Sequence, residues 1–160
     1  MNQDGLISAL ETKVPITDRV RWILRIACVA AYRQNKTATD PIHVLLGIGE
    51  EGGGIAVHVM NSLGVTLTNL RSAALAPASL CRPGSGQPPP LHMPFSDATR
   101  ELLDRAADEA IALDHGFLGS EHLRLAFEQS GQADPTFREL EVDARRVRKK
   151  VLSIITNRLD

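Results

Sequence analysis

Residues 17–33 (TDRVRWILRIACVAAYR) and 96–112 (SDATRELLDRAADEAIA) decide the fold, because the second stretch repeats the pattern of the first 79 positions later. Each stretch opens on a hydroxyl residue followed by aspartate, residue types that favour the start of a helix. Apolar residues then recur at helical spacing in both stretches. The matching positions are Arg21 with Arg100, Ile23-Leu24 with Leu102-Leu103, Ala27 with Ala106 and Ala31 with Ala110. Each copy is therefore predicted to begin with a long amphipathic helix.

The repeat continues beyond these two stretches. His43 corresponds to His122, and the segment at 63–65 returns at 140–142 after a loss of two residues. The pattern predicts four helices per copy, at about 18–33, 41 onward, 54–62 and 67–75, and then at about 97–113, 120–129, 135–140 and 143–159. We therefore expect an all-α fold of about eight helices, in which two pseudo-twofold-related four-helix repeats bury their apolar stripes against each other.

Composition agrees with a helical domain and narrows its partners. The 160 residues are 43% hydrophobic and only 4% aromatic, which disfavours a strand-rich fold and a base-stacking platform. The net charge of −1 lacks the overall basic footprint of a nucleic-acid-binding protein. Two cysteines cannot build a disulfide framework, and neither a signal peptide nor an apolar run of membrane-spanning length is present. We expect a cytoplasmic protein that does not bind membranes, and the composition disfavours nucleic acid as a partner.

Proline divides the chain into two parts. Six of the nine prolines fall between Pro77 and Pro94, where the lost N–H groups and fixed φ angles rule out a helix interior. The expected organisation is an N-terminal lead at 1–14, a first repeat at 15–76, a linker at 77–94 and a second repeat at 95–160.

The residue pattern of the two repeats resembles that of the Clp amino-terminal (double Clp repeat) domain family. The resemblance covers about residues 15–159 and is carried by residues 17–19 (TDR), 41–48 (PIHVLLGI), 50–56 (EEGGGIA), 63–65 (LGV), 94–96 (PFS) and 114–123 (DHGFLGSEHL). It implies a mobile helical module that delivers substrate proteins and adaptors to a hexameric ATPase. Clp ATPase or protease components, adaptors and substrate peptides are therefore the expected partners.

The phosphate loop of the motor proteins in this family has no counterpart in the chain. No G-x-x-x-x-G-K-[ST] sequence occurs, so no nucleotide site, no cofactor and no enzymatic activity are expected. We expect a natural stand-alone protein that modulates or feeds a Clp protease, or competes for ligands of the motor; the alternative is a fragment of a larger chain.

Glu121 is the leading candidate for a binding residue. In one branch of the resembling family, the glutamate of each G-[TS]-E-H segment binds phosphorylated arginine, and this chain has Gly119-Ser120-Glu121-His122. A carboxylate accepts hydrogen bonds from a guanidinium, while a helix start offers N–H groups to a phosphate. Ser120 and the helix-capping Ser96 are expected to complete the site. The alternative is that Glu121 and Ser96 only stabilise their own helix starts.

The first copy departs from that pattern. Asp40, Pro41 and Ile42 stand where the second copy has Gly119, Ser120 and Glu121. Ile42 cannot accept a hydrogen bond, so phosphoarginine is expected to bind only at the second copy. Thr17 keeps the hydroxyl that corresponds to Ser96.

Three further features have a binding and a structural interpretation. Phe95 is a candidate partner-binding anchor, or a residue that packs onto the first turn of its own helix. His43 and His122 are predicted to be buried structural residues without a metal, because no other ligand lies at a suitable spacing. The run at 145–150 (RRVRKK) is predicted to be a solvated helix face; the alternative function is a helical DNA-binding regulator that uses this face.

Overall fold

The structure is a computed structural model that describes residues 3–75, 93–129 and 144–159, and within these ranges the regular elements are all helices. In chain order they are α1 Gln3–Lys13, α2 Asp18–Arg33, α3 Pro41–Glu51, α4 Gly54–Ser62, α5 Leu67–Leu75, α6 Asp97–Ala112, α7 Ser120–Gln129 and α8 Ala144–Leu159. The all-α prediction is confirmed. The predicted linker and the predicted helix at 135–140 lie mostly or wholly outside the described residues.

Helix α1 was missed by the sequence analysis, which named residues 1–14 only as an N-terminal lead and predicted no helix there. Its apolar residues Leu6 and Leu10 are buried, as is Val14 immediately after it. Lys13 also forms an ion pair of 3.0 Å with Asp104 of α6. The segment therefore packs as part of the domain.

The long helices α2 and α6 begin as their sequences predict. The Thr17 hydroxyl accepts a hydrogen bond from the N–H of Val20 at 3.3 Å, and the Ser96 hydroxyl accepts one from the N–H of Thr99 at the same distance. Buried alanines on both helices, including Ala27 and Ala106, leave room for close packing. A Cβ added at Gly47 of α3 would lie 2.5 Å from the Ile23 carbonyl oxygen, so α2 and α3 meet at backbone distance.

The segments that precede the first two helices of each repeat pair with segments of the other repeat. Ile16, just before α2, forms a parallel bridge with Leu118, just before α7. The segment before α6 does the same with the segment before α3, through Phe95 and Thr39. Each first helix therefore begins beside the second helix of the other repeat. This exchange of segments between the repeats determines which side chains can share a site.

The core joins both repeats and has a smaller extension towards α8. Its main cluster includes Leu24, Val44, Leu103 and Leu123. A second cluster holds α8 against α4 and α7 and consists of Ile55, Val59, Leu125, Val147 and Val151. Among the described residues, no helix has the length and apolar character needed to cross a membrane.

Candidate functional site

A cleft of about 400 Å³ lies where α2, α4 and α7 begin. Three helix starts face one space, so their N-terminal dipoles make this region favourable for an anion. The cleft is lined by Thr17, Arg19, Gly54, Ile55, His115, Phe117, Gly119, Ser120, Glu121 and Ile155. Ser120 and Glu121, predicted from the sequence, lie in this cleft together.

The start of α7 holds the Glu121 carboxylate against the backbone. A Cβ added at Gly119 would lie 2.7 Å and 2.6 Å from the two carboxylate oxygens of Glu121, so only glycine leaves room for this position. Glu121 is 8% exposed. Its acceptor oxygens are therefore kept close to the helix start and are largely shielded from bulk water.

Gly54, the first residue of α4, lies close to side chains at the starts of α2 and α7. A Cβ at Gly54 would lie 2.8 Å from the Ser120 hydroxyl and 3.1 Å from the Arg19 Cδ. Gly54 also has a φ of +79°, which an L side chain rarely adopts. The positive φ and the close approach of the Ser120 and Arg19 side chains together explain the glycine at this turn.

Arg19 supplies the positive charge of the cleft. Its Nη1 donates to both carboxylate oxygens of Glu51 at 2.7 Å, and the N–H of Gly53 donates to the same carboxylate at 3.0 Å. Glu51 thereby fixes the guanidinium, whose side chain remains 42% exposed. The Glu121 carboxylate and the Arg19 guanidinium, which is itself paired with Glu51, thus line the same cleft.

His122 is a buried part of the α7 start, as predicted. Its Nδ1 accepts from the N–H of Gly119 at 2.8 Å, so the proton lies on Nε2, which is 2.7 Å from the Nδ1 of His115. Burial lowers the pKa of His122, although the charge of Glu121 acts in the opposite direction. His115 in turn stacks with Phe117 at a ring-centroid distance of 5.7 Å.

His43 has the equivalent arrangement in the first repeat. Its Nδ1 accepts from the N–H of Asp40 at 2.9 Å, and its Nε2 lies 3.2 Å from Gln34 Oε1. His43 and His122 are both 0% exposed, so the prediction of buried, hydrogen-bonded histidines is confirmed.

His115, Glu121 and His122 are also close enough to be considered as metal ligands, with ligand atoms within 4.8 Å of one another. The arrangement fits a metal poorly. Both ring nitrogens of His122 already have partners, and metal binding at Nε2 would remove the proton donated to His115.

Ser96 does not belong to this cleft, which corrects the expected grouping. Its N–H donates to the Thr39 carbonyl at 3.1 Å, so it lies at the start of α3, beside the first-repeat segment. Thr17 takes the expected place near Glu121, because its N–H donates to the Leu118 carbonyl at 3.2 Å. The physical reason is the segment exchange between the repeats.

Phe95 is not exposed either. It is 3% exposed and belongs to the main core cluster, so of the two interpretations given for this residue the exposed anchor does not agree with the structure. Phe117 is the exposed aromatic residue of the cleft, at 46%. Arg19, His115, Phe117 and Gly119 were not selected as site residues from the sequence.

The basic run at 145–150 lies on α8. Val147 is buried, while the flanking Arg145, Arg146, Lys149 and Lys150 are exposed, in accordance with the predicted solvated face. Arg148 donates to Glu109 at 2.9 Å, and this hydrogen bond raises the pKa of Arg148.

The protein is an all-α double repeat, and a cleft with charged, hydroxyl and apolar side chains lies between the helix starts of the two repeats. Its sequence matches the Clp repeat (R) N-terminal domain over residues 15–90 and 94–159, so the chain belongs to that family. In Clp ATPases, this domain binds substrates and adaptors.

Curated relatives show the same similarity. A ClpA homolog of Guillardia theta, described as the ATP-binding subunit of the ATP-dependent Clp protease, is 30% identical over 87% of the chain. The chloroplastic chaperone protein ClpC1 of Oryza sativa is 29% identical over 94% of the chain. The chain spans only 17% and 16% of the lengths of these two relatives.

Solved structures share the fold. The N-terminal domain of ClpD from Arabidopsis thaliana superposes with a TM-score of 0.68 at 19% identity, covering 88% of this chain and 94% of that one. The Hsp104 N-terminal domain of Candida albicans gives a TM-score of 0.68 at 15% identity, covering 88% of this chain and 91% of that one.

Proposed function

We propose that this protein is a non-enzymatic binding module that recognises marked or unfolded protein segments at the cleft between α2, α4 and α7. Its partners are substrates or adaptors of a Clp ATPase, whose proteolysis it modulates, either by delivering these ligands or by sequestering them. Family membership supports the general role. The cleft supports a particular ligand chemistry.

One observation carries the choice of ligand, namely that Glu121 and Arg19 line the same cleft. Phosphoarginine carries a guanidinium and a phosphate on one side chain. Glu121 accepts hydrogen bonds from the guanidinium, while Arg19 and the hydroxyls of Thr17 and Ser120 bind the phosphate. Charge-assisted hydrogen bonds of this kind are stronger than neutral ones.

Backbone NMR during titration with free phosphoarginine tests the proposal. We expect shifts around residues 17–19 and 119–121 in the unmodified protein. Glu121→Gln keeps the size of the side chain but removes its charge, so affinity should fall about 10- to 150-fold, corresponding to ~1.5–3 kcal/mol. Free arginine and inorganic phosphate serve as ligand controls.

Two results would contradict the proposal. Equal affinity for phosphoarginine and inorganic phosphate would mean that the cleft is only an anion site. Shifts confined to residues 39–42 and 96 would place binding at the first-repeat helix start, against the assignment to Glu121.

A further inference from the structure

A second groove, which we call the α2 groove, lies on the outer side of α2 and has a volume of about 700 Å³. Its lining includes Trp22, Ile26, Val29 and Arg33 of α2 together with Leu46 of α3. None of its lining residues lines the cleft at Glu121. The α2 groove is therefore a separate surface.

Trp22 makes the α2 groove unlike an ordinary polar surface. It is the only tryptophan of the chain, and 55% of it is exposed. Ile26 and Val29 follow one and two helical turns later and are only partly buried. Tryptophan is enriched among the residues that dominate protein interfaces, so this apolar strip is suited to a protein partner.

The charges around the α2 groove select the partner. Arg71 is neutralised by Glu50, with hydrogen bonds of 2.6 Å and 2.8 Å. Arg25 and Arg33 are exposed, and neither takes part in an ion pair among the described residues. The rim is thus positive although the whole chain has a net charge of −1.

Gln34 adds an unused hydrogen-bond donor to the same groove. Because His43 Nδ1 accepts from Asp40, His43 Nε2 carries the proton and donates to Gln34 Oε1. This fixes the orientation of the Gln34 amide. Its Nε2 is buried without a partner, although Gln34 lines the groove. A bound oxygen atom could reach this donor only if the Gln34 side chain moved, because the atom is buried.

We propose that the α2 groove binds an acidic amphipathic helix of a partner protein. Trp22 and Arg33 are eleven residues apart on one helix, or about 16 Å, which matches about three turns of a bound helix. Apolar side chains of the partner pack on Trp22, Ile26 and Val29. Aspartate or glutamate beside them pairs with Arg25 and Arg33.

The test uses a synthetic peptide of about twelve residues with leucine at helical i, i+3, i+4 and i+7 spacing and glutamate at the flanking positions. Binding is followed by the fluorescence of Trp22 and by anisotropy of the labelled peptide. A peptide with lysine in place of glutamate is the charge control. We expect the acidic peptide to shift Trp22 emission and to bind at least about tenfold more tightly than the lysine peptide.

Protein variants localise the binding. Arg25→Glu with Arg33→Glu should weaken binding of the acidic peptide at least about tenfold, because both charges lie on the rim. Lys149→Glu, an exposed charge reversal on α8, is the control for a charge change away from the groove and should leave it unchanged. Glu121→Gln should also leave it unchanged, which separates this proposal from that of the cleft. Circular dichroism checks that each variant is folded.

Four outcomes would overturn the proposal. They are absence of acidic-peptide binding, equal affinity for the lysine peptide, equal loss in Lys149→Glu, and a Trp22 response to duplex DNA that exceeds the response to the peptide. Sedimentation velocity tests whether the unmodified protein self-associates. If it does and Trp22→Ala abolishes this self-association, the α2 groove binds a second copy of the chain instead.

Discussion

Gly119→Ala should weaken ligand binding without lowering the stability of the fold. The added methyl group would lie 2.6 Å, 2.7 Å and 2.8 Å from the three carboxyl atoms of Glu121. These atoms form the end of a flexible side chain, so Glu121 moves out of its position while the backbone stays in place. Gly119 is not among the glycines with positive φ, so alanine can adopt its backbone conformation.

The two expected effects have opposite signs. Displacing Glu121 removes its charge-assisted hydrogen bond to the ligand, which corresponds to ~1.5–3 kcal/mol or about a 10- to 150-fold loss of phosphoarginine affinity. Alanine also restricts the unfolded chain and stabilises the folded state by ~0.4–1 kcal/mol. For a domain of this size, the melting temperature should stay constant or rise by up to about 4 °C.

Isothermal titration with phosphoarginine and scanning calorimetry measure the two effects on the same samples. Gly116→Ala is the matched control, because nothing lies within 4 Å of a Cβ at that position and its φ is also not positive. It should retain wild-type affinity. Wild-type affinity in Gly119→Ala would refute the reasoning that the position of the Glu121 carboxylate determines binding.

Two further predictions follow from the helix starts. Thr17→Ala and Ser96→Ala each remove a helix cap and should each lower the free energy of unfolding by ~1 kcal/mol in urea titrations, but only Thr17→Ala should weaken phosphoarginine binding. Equal weakening by both would contradict the exchanged arrangement. Burial lowers the pKa of His43, so the unfolded state binds the proton more readily and stability should fall as pH drops below about 6.5. His43→Gln can keep the hydrogen bond to Asp40 but cannot be protonated. In urea titrations between pH 7 and 5, this variant should reduce the pH dependence of the free energy of unfolding by at most ~1.4 kcal/mol per pH unit. An unchanged pH dependence would mean that another group causes the loss of stability.

Most helix bounds could be predicted because the repeat presents the same pattern of helix-start and apolar residues twice. The predicted α2, α4 and α5 agree with the structure to the residue, and α7 does so as well. The sequence of α1 is not repeated 79 residues later, so a search guided by the repeat did not identify this helix. The spacing of Leu6, Leu10 and Val14 was the signal that would have revealed it.

The partners within the site could be predicted only in part. Ser120 and Glu121 were identified from their local motif, whereas Ser96 was grouped with them because it precedes them in the same repeat. Sequence equivalence shows which residues correspond, but it does not show which repeat they contact. The bridge between Ile16 and Leu118 is a long-range pairing that no helical periodicity records.

The start of α3 in the first repeat differs from the start of α7 in the second, and the differences favour one ligand site per chain. Pro41 removes an N–H from the first turn of α3, and Asp40 is engaged with His43 in a capping box. Ile42 packs against the main core cluster, so a carboxylate introduced there would have to be desolvated or displace the packing. A protein with the single ligand site that we propose would lack the avidity that two sites provide. A second contact to the same partner through the α2 groove would restore it, because linked binding at two surfaces raises the effective concentration at each.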